Sequence, residues 1–381
     1  MQDLGRIEMN IDLNKVSKLG FGLMRLPKIE EEIDIEQVCS MVDRYLEAGM
    51  NYFDTAYVYH SGMSEKVVKE AIVSRHPRNS FTVATKLPSW EMKGPEDSDR
   101  IFNEQLKKTG AGFFDFYLLH SVEEGSIDLF EKWNCFEWGI RKKEEGLIKH
   151  FGFSFHGSPE LLKEVLDRHP ETEFVQIQLN YADWNNPVVR SGELYEILHE
   201  RNIPMVIMEP VKGGTLASLK PELEQKYRDY DPSSSIASWA LRFVASLPGI
   251  MTVLSGMSDI SQMEDNLKTF SDFKPLNEEE KRLIEEVTAI MLDIPQIGCT
   301  SCRYCTDGCP MNISIPDVFR AFNTMKLYNE EFRPKAFYSG ITTDHGKAAD
   351  CIGCGQCESV CPQHLPIIEL LKEASAVFDK Q

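Results

Sequence analysis

The chain has 381 residues, with 41 Lys and Arg against 60 Asp and Glu, for a formal net charge of -19. That acidity argues against nucleic-acid binding, which depends on cations that neutralise phosphates. The length exceeds a usual single core of about 100–200 residues and suits one large barrel with a small appendix, and no apolar run approaches the ~20 residues of a membrane span.

The first ten residues, MQDLGRIEMN, have neither the basic start nor the apolar core of a signal peptide. A cytoplasmic protein that does not engage a membrane is the expectation. From about Val16 to Asn266, short apolar runs alternate with amphipathic stretches. The strand-like runs are LGFGLM, MNYFDT, FTVATK, FFDFYLLH, IKHFGFSF, FVQIQLN, IPMVIME and IMTVLSG. Helical patterns lie between them, among them DIEQVCSMVDRYLEAG, SEKVVKEAIVSR, SPELLKEVLDRH and SSSIASWALRFVAS. Eight strands alternating with helices predict an α/β fold with a parallel sheet. Eight such units in about 250 residues match a closed (β/α)8 TIM barrel. An open doubly wound sheet lacks support, because no glycine fingerprint follows the first strand.

Four polar residues stand at or just beyond the ends of successive apolar strands: Asp54, Tyr59, Lys86 and His120. In a barrel the loops after the strands form the active face, and burying Asp, Lys and His there without partners is costly. Together they suit carbonyl reduction, which needs hydride at carbon and a proton at oxygen. A phenol is a weak acid near neutrality. A lysine cation would lower its pKa, an aspartate would keep the lysine charged, and a histidine could hydrogen-bond the carbonyl.

A charged helix, NEEEKRLIEEVTAIML, follows the barrel and leads into two cysteine blocks, CTSCRYCTDGCP and CIGCGQCESVCP. Both have the spacing C-x2-C-x2-C-x3-C-P. Three close thiolates can hold one [4Fe–4S] cluster while the fourth ligates the other. The expected sets are Cys299, Cys302 and Cys305 with Cys361, and Cys351, Cys354 and Cys357 with Cys309. Zinc ribbons use paired C-x2-C knuckles without the fourth Cys-Pro. Cys39 and Cys135 stand alone and are expected to be inert core residues. The proposed division is a barrel over 1–275, a linking helix over 276–294 and a mostly helical ferredoxin-type domain over 295–381.

FDTAYVY with Asp54 and Tyr59, ATKL with Lys86 and LLHSV with His120 resemble the catalytic tetrad motifs of the aldo-keto reductases. The tail resembles the ferredoxin-type extension of one branch of that family. The resemblance implies bound NADP(H), or NAD(H), and a small-molecule aldehyde or ketone substrate. It assigns Ser154 and Gln176 to the nicotinamide carboxamide, and Gly256, Ser258, Gln262 and Asn266 to the phosphate and adenine end. Phe155 replaces the family's usual Asn, Met208 its stacking aromatic ring and His60 its glycine. The loop around Asp259 lacks the usual cations, with Lys212 a possible substitute, so the choice between NADPH and NADH stays open. Met24, Trp90 and Trp184 are candidates for the pocket mouth. Three functions remain: a carbonyl reductase, an electron-transfer component working with a redox protein partner, and a non-catalytic nucleotide-sensing module.

Overall fold

The computed structural model describes residues 11–12, 15–30, 32–187, 189–299, 303–328, 331–361 and 363–380. It divides into two compact units, residues 1–213 with 238–279, and residues 214–237 with 280–381.

The first unit is built on eight strands: β1 (Leu19–Gly22), β2 (Tyr52–Asp54), β3 (Thr82–Pro88), β4 (Phe114–Val122), β5 (Ile148–Phe155), β6 (Phe174–Gln178), β7 (Met205–Met208) and β8 (Ile250–Ser255). Each pairs in parallel with its chain neighbours, and β1 pairs with both β2 and β8, closing the barrel. The eight apolar runs of the sequence are these eight strands.

Side chains alternate between the two faces of a strand, and that period positions the site. Tyr52, Ala84, Phe116, Leu118, Phe174 and Val206 form one buried cluster. On the same face, one or two alternations further along, come Asp54, Lys86, His120 and Gln176. The opposite face carries Phe53, Val83, Tyr117, Leu119, Val175 and Ile177, which join the large core that includes the surrounding helices. Each such side chain contributes ~1.5–3 kcal/mol on burial, so the polar end of the inner face rests on a rigid floor.

The helices start where the sequence supplies caps. Asp34 accepts the Gln37 N–H at the head of Ile35–Glu47, and Ser158 accepts that of Leu161, with Pro159 opening the next turn. Gly152 on β5 has a steric reason: a Cβ there would stand 2.1 Å from the carbonyl oxygen of Phe174. The close approach keeps Ser154 in register with Gln176 on β6.

The second unit is mostly helical. Ile315–Leu327, Phe332–Ile341 and Ile367–Phe378 surround a core that contains Ile313, Phe319, Phe322 and Leu371 together with Cys305 and Cys357. Its β structure among the described residues is one isolated bridge between Ile313 and Gly346. Tyr338 ties the end of the chain down: its hydroxyl donates to Asp379 and accepts the Ala348 N–H at 2.7 Å. Among the described residues, no helix is long and apolar enough to cross a membrane.

Candidate active site and cysteine cavities

At the C-terminal end of the barrel, Asp54, Tyr59, Lys86 and His120 come together. Lys86 Nζ donates to Asp54 Oδ1 at 2.7 Å, to the Thr55 carbonyl at 2.8 Å and to Tyr59 Oη at 3.3 Å. An ammonium has three donors, so all three are committed. Tyr59 Oη therefore accepts from Lys86 and keeps its own hydrogen for another acceptor. The His120 ring stands edge-on to Tyr59, with centroids 6.1 Å apart, and packs at 5.0 Å against Trp90. Asp54 and Lys86 are buried, whereas Tyr59 and His120 are partly exposed. Two groups thus face the mouth and two support them from below.

The electrostatics correct one expectation. Burial pushes the Tyr59 phenol up and outweighs the downward pull of Lys86, so it stands above its ordinary value. At neutral pH Tyr59 is a proton donor rather than a partly ionised phenolate. Burial also works against the Lys86 ammonium, but Asp54 and Tyr59 outweigh it and hold the lysine above its usual range. For Asp54, burial wins over the pull of Lys86 and raises the carboxyl. His120 is held well below its usual value by burial and then by Lys86 and His156, so its imidazole is neutral. Its Nδ1 is buried without a hydrogen-bond partner among the described residues.

Ser154 and Gln176 line up beside this group on β5 and β6. Ser154 Oγ accepts the Ser121 N–H at 2.8 Å, and its own hydrogen is left to donate. Gln176 Oε1 is buried with no partner among the described residues, which costs free energy unless a ligand supplies a donor. These two side chains fit a carboxamide. At the end of β8 the helix Ile260–Ser271 is capped by Asp259, which accepts the Gln262 N–H. Gln262 Oε1 in turn accepts the Ser258 N–H at 2.9 Å, and Ser258 Oγ donates to the Arg25 carbonyl. Asn266 is buried and donates to Ser255 Oγ at 2.8 Å. Gln262 and Asn266 thus shape this loop from within, and Ser258 and Gly256 lie along it.

Lys212 is engaged elsewhere. It meets the buried carboxylate of Asp183 at 2.5 Å, in a network with Gln178 and Asn180. The cation near the β8 loop is Arg25, whose stem would touch a Cβ on Gly256 at 3.1 Å and whose guanidinium meets Glu209 at 3.5 Å. Sequence reasoning passed over Arg25; its placement directly after the β1 end is the signal that could have found it. Reasoning from strand ends also missed a buried network behind Lys86. There Gln105 Nε2 donates to the Lys86 carbonyl and Glu65 Oε1 and lies 3.1 Å from Thr85 Oγ1, and Tyr117 donates to Gln105. His60 Nε2 accepts the Leu26 N–H and so holds the loop after β1. Trp184 packs on Tyr195 and Phe243, whereas Met24 and Trp90 are exposed.

Strained backbone marks the same end of the barrel. His60, Ser61, Ser121 and Glu209 all have φ between 50° and 61°, a region costly for residues other than glycine. They follow Tyr59, His120 and Met208.

In the second unit the cysteines line two cavities. One contains Cys299, Cys305 and Cys361 among Ile315, Phe319 and Ile367; Cys302 lies outside the described residues. The other contains Cys309, Cys351, Cys354 and Cys357 among Ile313, Ile368 and Leu371. Cys309, the fourth cysteine of the first block, therefore lies with the first three of the second, and Cys361 lies with Cys299 and Cys305. The Ile313 N–H points at Cys309 Sγ at 3.5 Å. Thiols ringing an apolar space, rather than converging on a point, fit a cluster: among the described residues no three His, Cys, Asp or Glu side chains are placed to hold a single ion.

Comparison with known proteins agrees with both parts. The profile described as aldo/keto reductase family matches residues 18–289, and that described as 4Fe-4S dicluster domain matches residues 298–365. The uncharacterized oxidoreductase YqkF of Bacillus subtilis is 27% identical over 305 residues, covering 72% of this chain and 93% of its own length. L-galactose dehydrogenase of Arabidopsis thaliana is 25% identical over 295 residues, covering 73% and 91%. The holo form of aldo-keto reductase AKR11C1 from Bacillus halodurans superposes with a TM-score of 0.59 at 25% identity, covering 71% of this chain and 92% of that one. With an eight-stranded barrel that gathers Asp54, Tyr59, Lys86 and His120 at one end, and a 4Fe-4S domain behind it in sequence, the chain belongs to the aldo/keto reductase family of oxidoreductases.

Proposed function

We propose that the protein reduces an aldehyde or ketone at the expense of NADPH or NADH, and that its tail carries two [4Fe–4S] clusters. The observation that carries the first part is the donor pattern at Lys86, which leaves the Tyr59 hydrogen free for a substrate oxygen. Ser154 and Gln176 would hold the carboxamide of the dinucleotide, and Ser258 with Gly256 and Arg25 its phosphate end. The dinucleotide, when bound, supplies the hydride.

The chain's own residues do the rest. Neutral His120 donates a hydrogen bond that orients the carbonyl oxygen toward Tyr59. Tyr59 releases its proton to that oxygen as negative charge develops there. Lys86 then faces a phenolate at 3.3 Å and stabilises it, and Asp54 keeps Lys86 protonated. Positioned proton transfer of this kind is worth about 10²–10⁴-fold in rate. A nucleotide-sensing role would need none of this arrangement. In the tail, Cys299, Cys302, Cys305 and Cys361 would hold one cluster and Cys309, Cys351, Cys354 and Cys357 the other, each able to store one electron.

The test is anaerobic purification, iron analysis and NAD(P)H oxidation with a panel of aldehydes and ketones. About eight irons per chain are expected from two cubane clusters. Tyr59→Phe should abolish turnover while dinucleotide binding and iron stay at parent levels. Parent-level turnover in that variant would remove Tyr59 from the reaction, and iron far below eight per chain would remove the two-cluster reading.

A further inference from the structure

We infer that Glu65 is a positioning residue: through Gln105 it fixes the backbone of Lys86, and so sets the contact between Lys86 and Tyr59. The inference rests on the reduction proposed above for what that contact does. The need for a brace arises where β2 ends. Asp54 and Ala84 are the last pair between β2 and β3, and the Thr55 N–H donates to the Ala84 carbonyl at 2.9 Å. Carbonyls two residues apart leave a strand on the same edge, so that of Lys86 faces a place where β2 has already turned away. A buried carbonyl must then find its donor elsewhere. Gln105, on the helix Asp97–Thr109, supplies it at 3.0 Å.

Glu65 decides how Gln105 is turned. Glu65, Gln105, Thr85 and Tyr117 are all fully buried. A primary amide has two N–H groups. Gln105 gives one to the Lys86 carbonyl and the other to Glu65 Oε1 at 2.8 Å. The Tyr117 hydroxyl donates to Gln105 Oε1 at 2.6 Å, but a hydroxyl also accepts, so it does not by itself fix which way the amide faces. A carboxylate only accepts. Thr85 donates to the same Glu65 oxygen at 2.8 Å and ties the carboxylate to β3. The preceding residue, Ser64, braces the other strand end: its hydroxyl donates to the Leu23 carbonyl at 3.0 Å and stands 2.7 Å from Thr55 Oγ1.

Two adjacent residues thus hold both sides of the gap that the Lys86 side chain bridges: Ser64 holds Thr55, whose carbonyl accepts from Lys86 Nζ, and Glu65 holds the Lys86 backbone through Gln105. Burying a carboxylate costs free energy that an apolar side chain would not incur, and orientation is what this one provides. The contacts of Lys86 differ in slack. Its bonds to Asp54 and Thr55 are 2.7 and 2.8 Å long, whereas Tyr59 Oη lies at 3.3 Å, the outer end of the hydrogen-bond range. A small shift of Lys86 away from Tyr59 breaks that bond first.

The experiment compares Glu65→Leu with Glu65→Gln in the full, iron-loaded chain, with NADPH or NADH and 4-nitrobenzaldehyde as the probe. Glu65→Leu should lower kcat about tenfold, within the cost of a ~1 Å misplacement, while KM for the dinucleotide stays at the parent value. Its solvent deuterium isotope effect on kcat should rise, because proton release from Tyr59 is the step that slows. Glu65→Gln keeps an acceptor oxygen for Gln105 and Thr85 and should regain most of the lost kcat, although it gives up the ion pair with Lys108 at 3.6 Å. Lys108→Met removes that pair alone and should leave kcat unchanged. If Glu65→Leu does not fold, Gln105→Leu takes its place with the same expected loss. A lower melting temperature in Glu65→Leu, with kcat per folded chain and isotope effect at parent values, overturns the inference, and so does an equal loss of kcat in Lys108→Met. Crystal structures of the variants give a reading that needs no turnover. The Lys86 Nζ to Tyr59 Oη distance should stay near 3.3 Å in Glu65→Gln and open beyond hydrogen-bond range in Glu65→Leu. An unmoved distance in Glu65→Leu overturns the brace, whereas a parent idle with every carbonyl tried overturns the proposed reduction and leaves the brace to that distance.

Discussion

The barrel site and the cysteine tail solve the problem of buried polar groups in opposite ways. In the barrel, the chemistry-bearing side chains satisfy one another: Lys86 spends its donors on Asp54, Thr55 and Tyr59, and Gln105 secures the backbone behind it. In the tail, the thiols line cavities among aliphatic side chains, and two of them, Cys305 and Cys357, belong to the unit's own apolar core. The barrel site is thus held by the fold, whereas in the tail the proposed ligands Cys305 and Cys357 are also part of the folded core. A metal that binds only the folded form adds its binding free energy to stability.

The largest effect should come from separating those two principles. Stripping iron with a chelator under anaerobic conditions should abolish the cooperative melting and much of the helicity of the second unit, since its core includes the proposed ligands Cys305 and Cys357. Dinucleotide binding and the melting of the barrel should persist. A single transition that moves as a whole when iron is lost would show that the contrast between the regions is false.

Next in size is Lys86→Met. It removes the group proposed to stabilise the Tyr59 phenolate and should lower kcat/KM by about 10³-fold, with no change in iron content. It also leaves Asp54 buried without its partner, so stability should fall by about 3–5 kcal/mol. Adding Asp54→Asn removes the stranded carboxylate. The double variant should regain most of the melting temperature and none of the activity. Recovery of activity along with stability would mean that Lys86 acts only as a structural counter-ion.

How much of this was legible follows from what spacing can encode. The eight strands were readable because each is a compact apolar run, and period-2 alternation placed Asp54, Lys86 and His120 on one face. The barrel's closure then brought them together. Electrostatic balance was not readable. The expectation that Lys86 lowers the Tyr59 pKa named a real influence but missed the larger one, burial, which depends on neighbours far away in sequence. Lys212 was a candidate substitute cation on paper and is bound to Asp183 in space, a pairing across 29 residues. Arg25, which does lie at the β8 loop, belongs to the β1 end and meets it only through barrel closure. Glu65 and Gln105 carry no motif that ties them to Lys86; only the packing of two helices behind β3 does.

Gly152→Ala tests how far the barrel site depends on strand spacing. A Cβ 2.1 Å from the Phe174 carbonyl must push β5 and β6 apart, at a cost of about 1–3 kcal/mol. Because Ser154 and Gln176 sit two residues beyond the contact, KM for the dinucleotide should rise more than kcat falls. The tail should keep its iron and its spectrum. An unchanged KM would show that the carboxamide pair tolerates displacement and is not held by register.

The smallest effect lies at His169, in the barrel unit but away from the candidate catalytic groups. Its two ring nitrogens face Glu171 at 3.1 Å and Glu131 at 2.9 Å, its ring stacks on Phe136 at 3.5 Å, and Arg168 shares Glu131. Burial disfavours the imidazolium, but the two carboxylates outweigh it and hold the pKa above the ordinary value near 6.5. A raised histidine contributes stability that is fully present below its unfolded pKa and fades as pH rises through the folded one. The parent should therefore lose about 2 °C of melting temperature, relative to His169→Gln, as pH climbs from about 6 to about 8. Activity and iron should be identical in the two proteins at either pH. If the difference between their melting temperatures is independent of pH, the ring is held as a neutral packing partner of Phe136, and the charge assigned to it is wrong.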